Sequence, residues 1–164
     1  MHHRRPRRAP LGKVAVHEGV DIAALAGLGL EAPVADLVLS TFTARTPDAR
    51  AFAIRHRTLL ARDAGIAIDI SLAALPFEER MMQRASTAEY APGVSLRTAS
   101  AEDLVTMKVF AGRARDLDDA RGILVRQGDR LDRALVRREL AELEALAERA
   151  EFIERFDAIC ATVR

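Results

Sequence analysis

The sequence has no tryptophan, one tyrosine (Tyr90), one cysteine (Cys160), and only two lysines, Lys13 and Lys108, among 25 basic residues. A single cysteine excludes an intramolecular disulfide and suits a reducing compartment. Sparse aromatics argue against a surface that stacks nucleobases, and 25 basic against 24 acidic residues argue against a polyelectrolyte binder. The clearest uninterrupted apolar run, Ile22 to Leu30, falls well short of the roughly 20 residues that a membrane helix needs. The basic start, Arg4-Arg5-Pro6-Arg7-Arg8, has no apolar segment behind it, because Lys13, His17, Glu18 and Asp21 interrupt. No membrane partner is expected, and the expected setting is cytoplasmic. There is no Cys/His cluster, no GxGxxG turn, no GxxxxGK[ST] phosphate loop and no internal repeat.

What remains is 49% hydrophobic, rich in alanine, with six phenylalanines as bulky filler. A chain of 164 residues is expected to form one domain, since domains run to roughly 100–200 residues. Residues 1–12, rich in Arg and Pro, read as a disordered basic tail. His2 and His3 lie in it, and adjacent histidines in a floppy tail are poor metal ligands. The domain is expected over 13–164, with a sheet core at about 34–98 and a helical part at about 100–164.

The local patterns predict an α+β fold: a small mixed sheet packed by helices, with an all-helical C-terminal third. Asp21 to Leu30 reads as a short helix and Val34 to Leu39 as a short strand. Asp48 is placed to cap a helix through about His56, with Phe52 and Ile54 at its buried edge. Thr58–Ala61 and Ile66–Leu72 read as strands around an Asp63-Ala64-Gly65 turn. In the second, Ile66, Ile68, Ile70 and Leu72 alternate onto one face, leaving Asp69 among small residues on the other. That face is either plainly solvated or lines a cleft where Asp69 acts as metal ligand or general base; the alternation leaves both open. Pro76 and two glutamates begin a helix to about Ala85, and Val94–Thr98 forms a strand after Pro92-Gly93. Beyond these, Val136, Leu140, Leu143 and Ala147 keep helical spacing, and so do Phe152, Ile153, Phe156, Ile159 and Val163.

Residues 100–119 are the most informative stretch. Ser100 and Asp103 form a capping-box-like start, Gly112 suits a helix end, and Asp116 with Asp119 repeats the start for a second helix over 116–127. On the first helix Leu104, Met107 and Ala111 share a face with Lys108 between them. An ammonium there must reach water, a carboxylate or a phosphate. Snorkelling, or a pair with Asp116, is the simpler of these outcomes.

The order Ile68-Asp69-Ile70, Leu75-Pro76-Phe77-Glu78-Glu79, a strand, then Glu102-Asp103-Leu104, Lys108, Gly112-Arg113 and Arg115-Asp116-Leu117-Asp118-Asp119 resembles bacterial minimal nucleotidyltransferases. The resemblance is to the AbiEii/AbiGii-type toxin group of the polymerase-beta-like superfamily, and runs from about Asp48 to the C-terminus. It implies a nucleotidyltransferase-like fold that moves a nucleotidyl group from a nucleoside triphosphate to an RNA or protein hydroxyl. It implies magnesium held by three carboxylates, with Asp69 the third of them, a catalytic and metal-binding residue. It implies Lys108 on the nucleotide phosphates, with Arg113 and Asp116 bracing its helix, and an antitoxin-like partner or a homodimer. The group's Gly-Ser or Gly-Gly turn and its Asp-x-Asp pair are not found before Asp69; Asp21, Asp36 and Asp48 stand isolated. The chain therefore reads as N-terminally incomplete, with activity expected to be impaired. The alternative expectation is a non-catalytic interaction module.

Overall fold

The computed structural model describes residues 19–163; the basic tail and its histidines lie outside the described residues. The protein is α+β, with seven α-helices, a four-stranded mixed sheet and a separate two-stranded sheet among the described residues. After Thr98 every element is helical. The chain divides between Ala74 and Leu75 into two compact units.

The first unit runs β1 (Gly19–Leu25), α1 (Glu31–Leu39), β2 (Thr43–Ala44), α2 (Ala49–His56), β3 (Thr58–Asp63) and β4 (Ile66–Ala73). The strands lie in the order β1-β4-β3-β2; β1 runs parallel to β4, and β3 antiparallel to both its neighbours. The β3–β4 hairpin closes where predicted, with Ala64 at φ +46° and Gly65 at φ +85°. Positive φ at both central residues matches the turn to the twist of the strands. On β4 the predicted alternation is present from Ile68 onward: Ile68, Ile70 and Leu72 are buried and Ala67, Asp69 and Ser71 half-buried, whereas Ile66, next to the turn, is exposed. The buried side chains pack with Leu59 and Ala61 of β3 and with Ala35, Ala49 and Ala53 of the two helices. Alanine at those helix positions keeps the layer thin.

Two expected elements change type. The stretch from Asp21 to Leu30 is not a helix: it is β1 followed by a turn through Gly29 at φ +87°. Val34–Leu39 is not a strand: it lies inside α1, whose first turn holds Glu31 and accommodates Pro33. Short apolar runs carry no period long enough to separate the two states. The bounds of α2 match expectation, but Ala49 and Ala53 are its buried residues, and Asp48 makes no side-chain cap.

The second unit runs α3 (Pro76–Arg84), β5 (Ser86–Ala91), β6 (Val94–Thr98), α4 (Ala101–Ala111), α5 (Ala114–Gln127), α6 (Arg133–Ala147) and α7 (Phe152–Thr162). Its core is Phe77, Met81, Val105, Val109, Ala120, Leu124, Val136, Leu140, Leu143, Phe152 and Phe156. Phe110 meets Phe152 edge-on at 5.2 Å between centroids. Strand β5 has no counterpart in the sequence reading, because Ser86-Thr87-Ala88-Glu89-Tyr90-Ala91 is exposed almost throughout and leaves no burial rhythm.

The buried stripe of α4 lies one position round from the expected face. Val105, Val109, Asp103 and Thr106 are buried, while Leu104 and Ala111 are exposed. Two polar residues in that stripe disguise it, and each is satisfied within the unit. Asp103 accepts from Ser100 Oγ at 2.8 Å and is paired with Arg84. Thr106 Oγ1 donates to the Glu102 carbonyl at 2.9 Å. Ser100 caps α4 as expected, accepting from the Asp103 N–H, and Gly112 ends it at φ +68°. Helix α5 begins at Ala114, two residues before the expected start, so Asp116 sits in its first turn and not at its cap.

Candidate functional site

Parallel pairing brings together what the sequence holds 48 positions apart. The β1–β4 register sets Asp21 beside Asp69, Val20 beside Ile68 and Ile22 beside Ile70. In-register residues of neighbouring strands share a face, with backbones about 4.8 Å apart. Both aspartates therefore lie on the sheet face away from the α1–α2 layer. Their row is flanked by Gly19 with Ala67 and by Ala23 with Ser71. A Cβ on Gly19 would meet the Ala67 carbonyl at 3.1 Å, so the small residues also permit the close strand approach.

The row continues across the sheet. Leu60 of β3 is the register partner of Asp69, and the Arg45 N–H donates to the Leu60 carbonyl at 3.0 Å, extending the β2–β3 ladder by one residue. The Arg45 side chain spans roughly two strand spacings over Leu60 to reach Asp69. Its Nη2 stands 2.6 Å from Asp69 Oδ1, off the line that a hydrogen bond requires. That oxygen is shielded from water and held by charge, while the Asp69 side chain as a whole is 43% exposed.

Three carboxylates are not assembled here: no group of three or more Asp, Glu, His or Cys able to hold a metal occurs among the described residues. An in-register pair does occur. Magnesium bound by one or two carboxylates completes its octahedron with water and substrate phosphates. Two carboxylates in register are a donor set of the size that one such ion uses.

In the second unit, Lys108, Arg113 and Asp116 meet in one cluster. Lys108 Nζ lies 3.2 Å from Asp116 Oδ1 and 2.9 Å from Asp119 Oδ2. Arg113 Nε pairs with Asp116 Oδ2. The hydrogen bond that Lys108 donates to Asp119, then the one it donates to Asp116, lifts its ammonium above its ordinary pKa against a contrary pull from burial. Arg113 first, and Lys108 after it, hold the Asp116 carboxyl below its usual range. Among the described contacts, two cations face two carboxylates. The cluster staples the end of α4 to the start of α5, around Gly112, which packs against the Arg155 guanidinium.

No family model matches the chain, and no curated protein matches it.

The cluster gives a direct expectation. Lys108→Met, which keeps the apolar stem, should cost about 1–2 kcal/mol, because Asp116 loses one of two partners in a buried position. Asp119→Asn should cost under about 1 kcal/mol, since that carboxylate is half-exposed. Urea midpoints read by circular dichroism measure both, and equal losses would contradict the unequal burial of the two aspartates.

Asp21 is the site residue that the sequence reading passed over, and a signal for it existed. Val20-Asp21-Ile22 repeats the apolar-Asp-Ile pattern of Ile68-Asp69-Ile70. Two strands carrying the same pattern in register necessarily place their aspartates side by side.

Proposed function

We propose that the chain is a nucleotidyltransferase-fold protein of the AbiEii-type toxin group that binds a nucleoside triphosphate with one magnesium ion at Asp21 and Asp69. The observation that carries this reading is the Asp21–Asp69 register on neighbouring parallel strands. Both side chains would ligate the ion, and Asp69 would also face the reacting hydroxyl. A bound magnesium ion draws charge from the triphosphate oxygens. In the transfer itself, the oxygen of an RNA or protein hydroxyl gives up its proton to solvent and bonds to the α-phosphorus, while the bond from that phosphorus to the departing pyrophosphate breaks.

The pair accounts for only part of that chemistry, so turnover is impaired. A second ion would need a third carboxylate. A reducing, cytoplasmic setting goes with the single cysteine; no helix among the described residues is long and apolar enough to cross a membrane.

Magnesium-dependent binding of a non-hydrolysable ATP analogue, followed by calorimetry, tests the reading. The wild-type chain is expected to bind, and Asp21→Asn and Asp69→Asn each to weaken binding about tenfold or more, the equivalent of about 1.4 kcal/mol. Label transfer from α-labelled nucleoside triphosphates is expected to be slow or undetectable. A wild-type chain with no magnesium-dependent nucleotide binding sinks the proposal.

One observation favours the second reading, an interaction module that meets an antitoxin-like partner or another copy of itself. The β5–β6 ribbon puts Tyr90 (80% exposed), Val94 and Leu96 (both 47%) in solvent. Large apolar side chains on an open ribbon are the composition of a docking surface. Concentration-dependent sizing of the wild type and of Leu96→Asp separates the readings, since only a docked ribbon makes association depend on Leu96.

A further inference from the structure

Three features of Arg45 call for explanation together. It crosses Leu60 to reach a strand two places away. It ends on the one Asp69 oxygen that is shielded from water. It reaches that oxygen without hydrogen-bond alignment, although a guanidinium has five N–H groups with which to align. Arg57 donates through Nε, Nη1 and Nη2 to three separate acceptors, whereas Glu151 Oε1, like Asp69 Oδ1, meets its arginines without hydrogen-bond alignment. Arg45 makes a charge contact to a carboxylate whose side chain remains 43% exposed.

Given the reading of Asp21 and Asp69 as a one-ion site, on which this inference rests, we infer that Arg45 is a displaceable counter-ion that occupies the metal position on Asp69 and passes to the triphosphate when the ion arrives. Its positive charge satisfies Asp69 while the site is empty of metal, so the two in-register carboxylates do not repel unchecked. A divalent cation approaching Oδ1 meets the guanidinium already there, which weakens binding of the bare ion. A metal–triphosphate complex brings both halves of the exchange: the ion takes Asp69, and the phosphate oxygens take the planar, bidentate guanidinium. Arg45 thus acts as a positioning residue that selects the metal–nucleotide complex over the free ion. The geometry suits such an exchange. Arg45 starts beside half-buried Leu60, its ladder partner, and its side chain is 28% exposed, so the head is within reach of a ligand from solvent.

The consequence is a pair of effects of opposite sign. In Arg45→Gln, Mn2+ alone, titrated by the loss of its free electron-paramagnetic-resonance signal, is expected to bind about tenfold more tightly than in wild type. In the same variant, the Mn2+ complex of a non-hydrolysable ATP analogue, titrated by calorimetry, is expected to bind about tenfold more weakly. Arg45→Lys keeps the charge and is expected to stay near wild type for Mn2+ alone, which separates charge from packing; far-UV circular dichroism checks that both variants fold. Asp69→Asn is expected to lose Mn2+ binding. If Asp69→Asn loses Mn2+ while Arg45→Gln leaves both titrations unmoved, or moves both the same way, the counter-ion role is overturned and the acid-pair site stands. If wild type and Arg45→Gln both fail to bind Mn2+, or Asp69→Asn binds as well as wild type, the site reading fails and takes this inference with it.

Discussion

Glu139→Gln is expected to lower the stability of the second unit by about 3 kcal/mol. The Glu139 side chain is 3% exposed and receives two arginines, Arg80 Nη2 at 2.5 Å and Arg84 Nη1 at 2.8 Å. Arg84 also holds buried Asp103 of α4, and Arg80 also holds exposed Glu142. One carboxylate of α6 is therefore the hub that joins α3 and, through Arg84, α4. A glutamine keeps one acceptor oxygen but turns an NH2 group toward a guanidinium in a desolvated place. Losing the central charge leaves two cations sharing what remains, which is why breaking such a pair costs more than forming it contributes.

The same residue sets a pH dependence. Burial, the largest single influence, works to raise the Glu139 carboxyl, but hydrogen bonds and charge from Arg80 and Arg84 together carry it below its ordinary value. A carboxyl depressed in the folded state is protonated first in the unfolded chain. The network's contribution is thus complete above the ordinary carboxylate pKa of about 4.3 and is lost as pH falls through the lowered native value. Asp116, depressed chiefly by Arg113, adds to the same acidic window. Urea unfolding by far-UV circular dichroism at about pH 7 and about pH 3 should show wild type and Glu139→Gln converging at the lower pH. Intrinsic fluorescence is no substitute in a chain without tryptophan. An unchanged midpoint at neutral pH would show that the hub is dispensable.

Arg57→Ala is expected to cost the first unit about 3 kcal/mol and, on the proposed acid-pair reading, to weaken Mn2+ binding with it. Arg57 sits at φ +51°, where α2 ends. Its Nε donates to the Leu72 carbonyl at 2.8 Å, and its Nη groups reach the Ala26 carbonyl and the largely buried Glu31. One guanidinium ties the ends of β1 and β4 to the start of α1. Those are the strands that present Asp21 and Asp69. Arg57→Gly loses the same bonds but adopts positive φ without a Cβ penalty, so it should fall between wild type and Arg57→Ala by about 1 kcal/mol. Equal stability of the two variants would place the whole cost in the guanidinium.

The β3–β4 hairpin, the helix starts at Pro76 and Ser100 and the stop at Gly112 were legible in the sequence because each depends on a local residue preference. Alternation along Ile66–Leu72 similarly gave the face on which Asp69 lies. Non-local facts were hidden. Nothing between Ile22 and Leu30 says strand until β4 is there to pair with it. The buried face of α4 is disguised by Asp103 and Thr106, whose partners lie elsewhere in the unit or in the preceding turn. Arg45, which reads in isolation as a surface arginine, gains its meaning from a register two strands away.

Strand β1 enters the sheet in parallel, and that has a kinetic consequence. A parallel pair cannot close through a two-residue turn; here α1, β2, α2 and β3 must all be laid down between its members. The β3–β4 hairpin can form early from neighbours in sequence, whereas β1 docks across a long loop and at an edge among the described strands. The acid pair therefore comes into being with the last and least local pairing of its unit. It also disappears whenever β1 lifts away, even while the hairpin that carries Asp69 stays folded. The lifetime of the site is the residence time of one strand.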